Sequence, residues 1–318
     1  MTQIFNSRWR VIGAFALIYL VWGSTYLSVA LALGSIPPFL LMGSRSVLGG
    51  LALIAGARLS GSAAASTADW ARASVCGVLF FVGCHGVLAY AQQHVPSGIA
   101  ALLLATIPFW VALLEAALPG GNRSTMRQFA LLIPGFAGVG LIVAGQMGSG
   151  TSNITNLFLL LGAAASWALG TILSRRWSPP GIAIEYSGME LIGGGTLLLV
   201  ISALLHETNA FDLRAVTVKA FGGWLYLTVL GTVVTFAAYI WLLKRVPPQL
   251  VATYAFVNPV VAVILGWAVL SEKLSGLILL GAALVVGSVV GLLLTGKPDK
   301  ANPAGTGVRG KRAIGVTQ

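Results

Sequence analysis

The sequence predicts an all-α integral membrane protein: ten transmembrane helices, arranged as two inverted five-helix repeats around a central cavity. Three observations lead there. Of 318 residues, 57% are hydrophobic and 8% charged, where a soluble globular chain carries ~25% charge. The apolar residues gather in runs of about 20, the length that crosses ~30 Å of hydrocarbon. One pattern of a proline-interrupted apolar run also occurs twice. In 94–114 and 245–275, Val95, Pro96, Ala101 and Pro108 fall on Val246, Pro247, Ala252 and Pro259 after a shift of 151 positions. A proline inside a helix removes a donor and crowds the preceding turn, so Pro108 and Pro259 predict kinks. In lipid, backbone loosened in this way survives only where protein or a cavity surrounds it. Bent helices at matching places in two halves point to a site between the halves.

The elements follow in order from apolar runs and their breakers. Arg8 and Arg10 precede helix 1, residues 11–33. Its Ala30-Leu31-Ala32 resembles a signal cleavage site, but the span of 23 residues exceeds the ~7–15 of a signal's apolar region, so it is expected to stay as a helix. Pro37-Pro38 opens helix 2 (37–57), and Pro179-Pro180 precedes helix 7 (182–205) in the same way. Helices 3, 4, 5 and 6 cover 73–91, 97–118, 128–146 and 154–173. Helices 8, 9 and 10 cover 221–243, 250–270 and 274–294. Trp22 in helix 1 matches Trp167 in helix 6, and Ser124 before helix 5 matches Ser275 before helix 10. The repeats are therefore 11–146 and 154–295. The tail, 296–318, is rich in Lys, Arg, Gly and Pro without apolar period and is expected to be disordered and cytoplasmic.

Orientation comes from the basic residues. Fifteen of the 19 Lys and Arg lie at the N-terminus, in the 2–3, 4–5, 6–7 and 8–9 connectors and in the tail, among them Arg58, Arg123, Arg175, Arg176 and Arg245; the other side holds Arg214, Lys219 and Lys273, and Arg45 lies within a span. That asymmetry places both termini in the cytoplasm. The net charge of +11 is thus a membrane-surface bias, and no nucleic-acid partner is implied. Because five is odd, the second repeat must lie upside down relative to the first.

Several chemistries are disfavoured. Cys76 and Cys84 are eight residues apart on one helix, ~12 Å along its axis, too far to pair with each other; both read as packing residues. The histidines, His85, His94 and His206, are scattered over three regions and no acidic cluster accompanies them, so neither an enzyme, a metal site nor a cofactor is expected. No glycine loop with Lys-Ser/Thr is present to bind ATP phosphates. The sequon Asn153-Ile154-Thr155 carries no weight. Ionisable groups in spans are costly and few: Arg45, His85, Glu115, Glu185 and Glu190. Arg45 is a candidate partner for a carboxylate such as Glu190, either as a buried ion pair that fixes packing or as part of a proton site. Glu115 lies one turn from the cytoplasmic end, within snorkelling reach of the interface. Gly287 and Gly291 form a GxxxG step expected to pack closely within the bundle.

Ten helices in two halves, Pro259 in helix 9, Glu272 thirteen residues on, and Gly281-Ala282-Ala283 with Gly287 in helix 10 resemble the drug/metabolite transporter superfamily, EamA-type exporters in particular, over about 12–295. The first half departs from the pattern: Gly121 stands opposite Glu272, and Glu115 lies within its helix instead. Among members, the chain resembles the aromatic amino acid exporters called YddG. The resemblance implies export of amino acids or similar small metabolites from the inner (cytoplasmic) membrane of a bacterium, through a cavity lined by helices 1, 3, 4, 6, 8 and 9. Trp22, Tyr26, Trp167, Phe236, Tyr239 and Tyr254 lie deep on four of those helices and would line an apolar chamber suited to a neutral or zwitterionic solute. His85, with Phe81 one turn before it, would hydrogen-bond a substrate amine or carboxylate, or else make an interhelical bond; Asn258 would supply a polar contact. The expected partners are a small-molecule substrate and the lipid bilayer, with the chain a monomer or weak homodimer. A multidrug exporter or lipid flippase of the same architecture is the alternative.

Overall fold

The computed structural model describes residues 2–62, 64–118, 126–148, 153–243, 245–246, 251 and 253–295. The tail from 296, the turn around Gly121 and Ser124, and Pro247 and Leu250 at the start of the ninth span lie outside the described residues.

The described residues hold ten long helices, α1 (2–32), α2 (Pro38–Leu59), α3 (Thr67–Gln92), α4 (Ser97–Ala117), α5 (Met126–Gly148), α6 (Ile154–Trp177), α7 (Ala183–Leu204), α8 (218–243), α9 (Tyr254–Leu270) and α10 (Gly276–Thr295). Their starts follow from local chemistry. Pro38 occupies the first turn of α2, where its missing N–H costs nothing. Ser66 and Asp69 form a reciprocal capping box that starts α3 six residues before the apolar run does. Asn153 and Thr217 cap α6 and α8 through their side chains.

The packing obeys an exchange of helix n with helix n+5. α2 lies on α7, α5 on α10, and the first part of α4 on α9, each helix on its own mate. α3 packs on α6 as α8 packs on α1, and α3 on α7 as α8 on α2. This is the pattern of two five-helix repeats. Contacts at helix ends fix which ends share a face. Arg58 at the end of α2 reaches Glu185 at the start of α7, and Arg175 at the end of α6 reaches Glu115 near the end of α4; both lie on the face that bears the N-terminus. On the opposite face, residues following α7 and α9 reach the starts of α2 and α4. Each helix and its mate thus run antiparallel, and the second repeat is inverted.

Backbones approach closely where glycines face each other. A Cβ on Gly138 of α5 would stand 2.6 Å from the Gly281 carbonyl oxygen of α10, and the reverse holds at the same distance. The close step on α10 is therefore Gly281. Gly287 faces open space, and a Cβ on Gly291 would stand 2.8 Å from the Leu131 side chain of α5. GxxxG spacing alone does not say which way a helix that is apolar all round is turned.

Three helices change their winding midway. α1 contains a π-helical stretch at Ile18–Trp22, α3 one at Val78–Gly86 and α8 one at Leu227–Val234. The stretches in α3 and α8, which are mates, occupy matching places. In α8, the Thr232 and Thr235 hydroxyls each donate to a carbonyl five residues back, on Leu227 and Leu230, satisfying oxygens that the wider turn frees. α4 breaks at Ala105–Thr106, and Pro108 is the second residue of its second part, Ile107–Ala117. α9 instead continues through Pro259; its irregularity lies before the helix, in the turn at Thr253.

Candidate functional site

Two aromatic clusters meet in the middle of the bundle. The first joins α1, α8 and α9. The Trp22 ring lies 5.5 Å from that of Tyr239 and 4.9 Å from that of Tyr254, and the two tyrosines are 6.1 Å apart. Phe236 follows at 6.2 Å from Tyr239. Trp22 is oriented by its indole N–H, which donates to the Gly231 carbonyl at 3.0 Å, inside the π-helical stretch of α8. Tyr19, one turn before Trp22, shares a 2.5 Å hydrogen bond with the Thr253 hydroxyl.

The second cluster joins α3 and α6. His85 lies 5.4 Å from Phe81 and 5.0 Å from Trp167, and Phe80 covers the other side of Trp167 at 4.7 Å. Phe80, Phe81 and His85 all sit on the π-helical stretch of α3. Such wider turns break the regular side-chain spacing and recur at functional sites. Tyr26, one turn after Trp22, packs with Trp167 against one buried core. Its carbonyl accepts from the Gln92 side chain at 3.1 Å.

The structure thus places the sequence-predicted residues Trp22, Tyr26, Phe236, Tyr239 and Tyr254 around one centre, with Phe81, His85 and Trp167 beside them. Asn258 is buried one turn beyond Tyr254, and its backbone carbonyl packs against Gly23. Its side-chain oxygen has no partner among the described residues. An acceptor left open in an apolar bundle costs free energy unless a ligand or water fills it.

Arg45 and Glu190 do not pair. Arg45 Nη2 lies 3.3 Å from His85 Nδ1, whereas Glu190 accepts from the Ser174 hydroxyl on α6 at 2.6 Å. Glu185 is held by Arg58 at 2.7 Å.

Sequence reasoning missed two carboxylate contacts on the face opposite the N-terminus. Glu207, in the connector after α7, accepts from Leu40 N–H at 2.9 Å and Phe39 N–H at 3.4 Å, the free donors of the first turn of α2. Glu272, after α9, accepts from Ser97 N–H at 2.6 Å, the Ser97 hydroxyl at 2.7 Å and Gly98 N–H at 3.0 Å, the first turn of α4. Each glutamate is an external N-cap for a helix from the other repeat, placed where unpaired N–H groups and the helix dipole favour an anion. The one available signal was the pair of turn glutamates two or three residues past a helix end; their targets, about 170 residues away, leave no local mark.

The model of the EamA-like transporter family matches the chain twice, over 9–144 and 154–294. The chain is 30% identical over 297 residues to the inner membrane transporter YedA of Escherichia coli (strain K12), covering 92% of this chain and 93% of that protein. It is 27% identical to protein PecM of Dickeya dadantii, covering 85% and 88% of the two chains, and 25% identical to the transporter YvbV of Bacillus subtilis (strain 168), covering 98% and 100%. A solved crystal structure shares the fold with a TM-score of 0.62 at 20% identity, over 89% of this chain and 97% of the other.

Proposed function

The chain belongs to the EamA-like transporter family, and from that premise we propose that it exports neutral amino acids, aromatic ones among them, or similar small metabolites by alternating access. The carrying observation is the double aromatic cluster at mid-depth, built from α1, α3, α6, α8 and α9 of both repeats, with the open Asn258 oxygen beside it. Rings that touch across the repeats in one state and part in another make room for an apolar side chain of modest size. The bends and wider turns in α3, α4 and α8 give the helices places to flex. Both termini are assigned to the cytoplasm of a bacterial inner membrane, from the basic connectors and the likeness to YedA, and the working unit is a monomer or weak homodimer.

The test is counterflow in liposomes holding the purified protein, with a panel of Phe, Trp, Met, Leu and Thr. Exchange of at least one of them above empty liposomes is expected. Movement of none, in a preparation that is folded by circular dichroism, overturns the reading. One observation favours a second reading, a multidrug exporter or lipid flippase. An apolar cleft on the flank of the bundle, between α3 and α6, is lined by Gly83, Val87, Phe158, Leu159 and Gly162, and Phe158 in it is 61% exposed. Competition of amino acid exchange by a lipophilic cation, rather than by other amino acids, would favour that reading.

A further inference from the structure

We propose that Arg45 and His85 form an anion-binding site in the middle of the bundle that takes the carboxylate of the transported solute, an inference that rests on the transport reading above. Arg45 lies on α2, a helix outside the set expected to line a cavity, yet it is 6% exposed and reaches across to α3. Its Nε–H has no partner among the described residues. A buried guanidinium is costly unless an anion answers it.

The described carboxylates are all engaged elsewhere. Asp69 closes the capping box at Ser66, Glu115 meets Arg175, Glu185 meets Arg58 and Glu190 meets Ser174. Glu207 and Glu272 cap α2 and α4, and Asp212 accepts from Arg214 N–H. The eighth, Asp299, lies outside the described residues in the chain after α10. Among the described residues, then, Arg45 has no counter-ion.

The Arg45–His85 contact also fixes what the site can bind. A guanidinium only donates, so His85 Nδ1 must accept and the ring's proton sits on Nε2. With Nδ1 accepting, neither side chain keeps a free acceptor, and the pair presents donors alone, the Arg45 Nε–H among them. Donors alone, with a positive charge and flanked by the Phe81 and Trp167 rings, select an anionic acceptor. In such surroundings a charge-assisted bond is strong. The shared chemistry extends to a small inorganic anion, so the test separates the two.

The experiment uses the full chain in detergent and in liposomes, with three probes that share a phenyl ring: 3-phenylpropionate, L-phenylalanine and phenethylamine. Chloride is titrated separately against a background of phosphate. The two carboxylates are expected to raise the melting temperature of the wild type and phenethylamine to leave it unchanged. Arg45→Gln is expected to weaken carboxylate binding by about thirtyfold or more, with His85→Gln weakening it less and Arg45→Lys restoring part of it. Equal shifts from phenethylamine and 3-phenylpropionate overturn the proposal, and because this arm uses the wild type alone it stands even where a variant fails to fold. Stabilisation by chloride with none by either carboxylate also overturns it. Carboxylate binding that depends on Arg45 without amino acid exchange would leave the site standing and sink the amino acid reading; exchange unchanged in Arg45→Gln would do the opposite.

Discussion

Two connectors on the same face are built alike and hold different kinds of partner. After α7, His206 takes a left-handed conformation (φ 60°), and after α9 Ser271 does the same (φ 56°); they are the described non-glycine residues with positive φ. Each turns the chain so that the next residue, Glu207 or Glu272, meets the first turn of its helix's mate. The Glu207 side serves a helix pair with a second tie. α2 is an unbroken helix of 22 residues, and its far end is held by Arg58 on Glu185 of α7. Between the two ends, a Cβ on Gly50 would stand 2.7 Å from the Gly188 carbonyl. The Glu272 side serves a helix that breaks two turns later, at Ala105–Thr106. Beyond the break, Glu115 of α4 turns to Arg175 of α6. Labour is divided between them: α2 and α7 form a scaffold tied at both ends, whereas the first part of α4 is a hinged piece latched to α9 by a single carboxylate.

The latch is the tighter fit. Glu272 Oε2 would be 2.4 Å from a Cβ on Gly266 and 3.1 Å from one on Gly98, so the carboxylate fills the space that two glycines leave. Glu272→Ala removes three charge-assisted hydrogen bonds and strands the donors of the first turn of α4, a loss on the order of 3 kcal/mol. The measurement is labelling by a membrane-impermeant maleimide of a cysteine introduced at Ala101, fully buried one turn into α4, with the parent chain, whose Cys76 and Cys84 are buried, as control. Labelling is expected to rise severalfold and net exchange to fall. A melting temperature that drops while labelling stays at the parent level would make Glu272 a mere brace and remove the distinction between the two connectors.

The matching change on the scaffold sharpens the contrast. Glu207→Ala removes two donor contacts, one of them long, for about 1–2 kcal/mol. A lower melting temperature is expected, but a cysteine at Leu41, buried on α2, should stay closed to the same reagent because the Gly50–Gly188 crossing and Arg58–Glu185 persist. If Leu41 opens as readily as Ala101, α2 is as mobile as α4.

How much of this was legible depends on whether the signal is local. The spans, the halves and the break near Pro108 are written in apolar length, prolines and charged connectors, all of which act within a few residues. The start of α3 was missed because the capping box at Ser66 and Asp69 extends a helix into a polar stretch. That Arg45 meets His85 rather than a carboxylate is hidden from the sequence for a different reason. A helix surrounded by lipid and other helices is apolar on every side, so its pattern does not fix its rotation, and rotation decides whether Arg45 faces α3 or the Ser174–Glu190 pair. The π-helical stretches, which carry His85 and receive the Trp22 indole, depend on packing between mates. Only the mid-span threonines of α8 hint at them.

The smallest expected effect tests the far end of α4. Arg175 and Glu115 meet at 3.4 Å, with the Arg175 side chain 57% exposed. An ion pair so open to solvent contributes less than about 1 kcal/mol and weakens further in salt. Glu115→Ala should therefore leave the melting temperature almost unchanged and leave the Ala101 cysteine as closed as in the parent, since the Glu272 latch is intact. What should change is the balance of exchange rates, modestly and more at low salt than at high, because freeing this end of α4 lets its second part move against α6 while the first part stays held. A large loss of stability, or labelling at Ala101 as strong as in Glu272→Ala, would mean that the two parts of α4 move as one rod and that the break at Ala105–Thr106 is not a hinge.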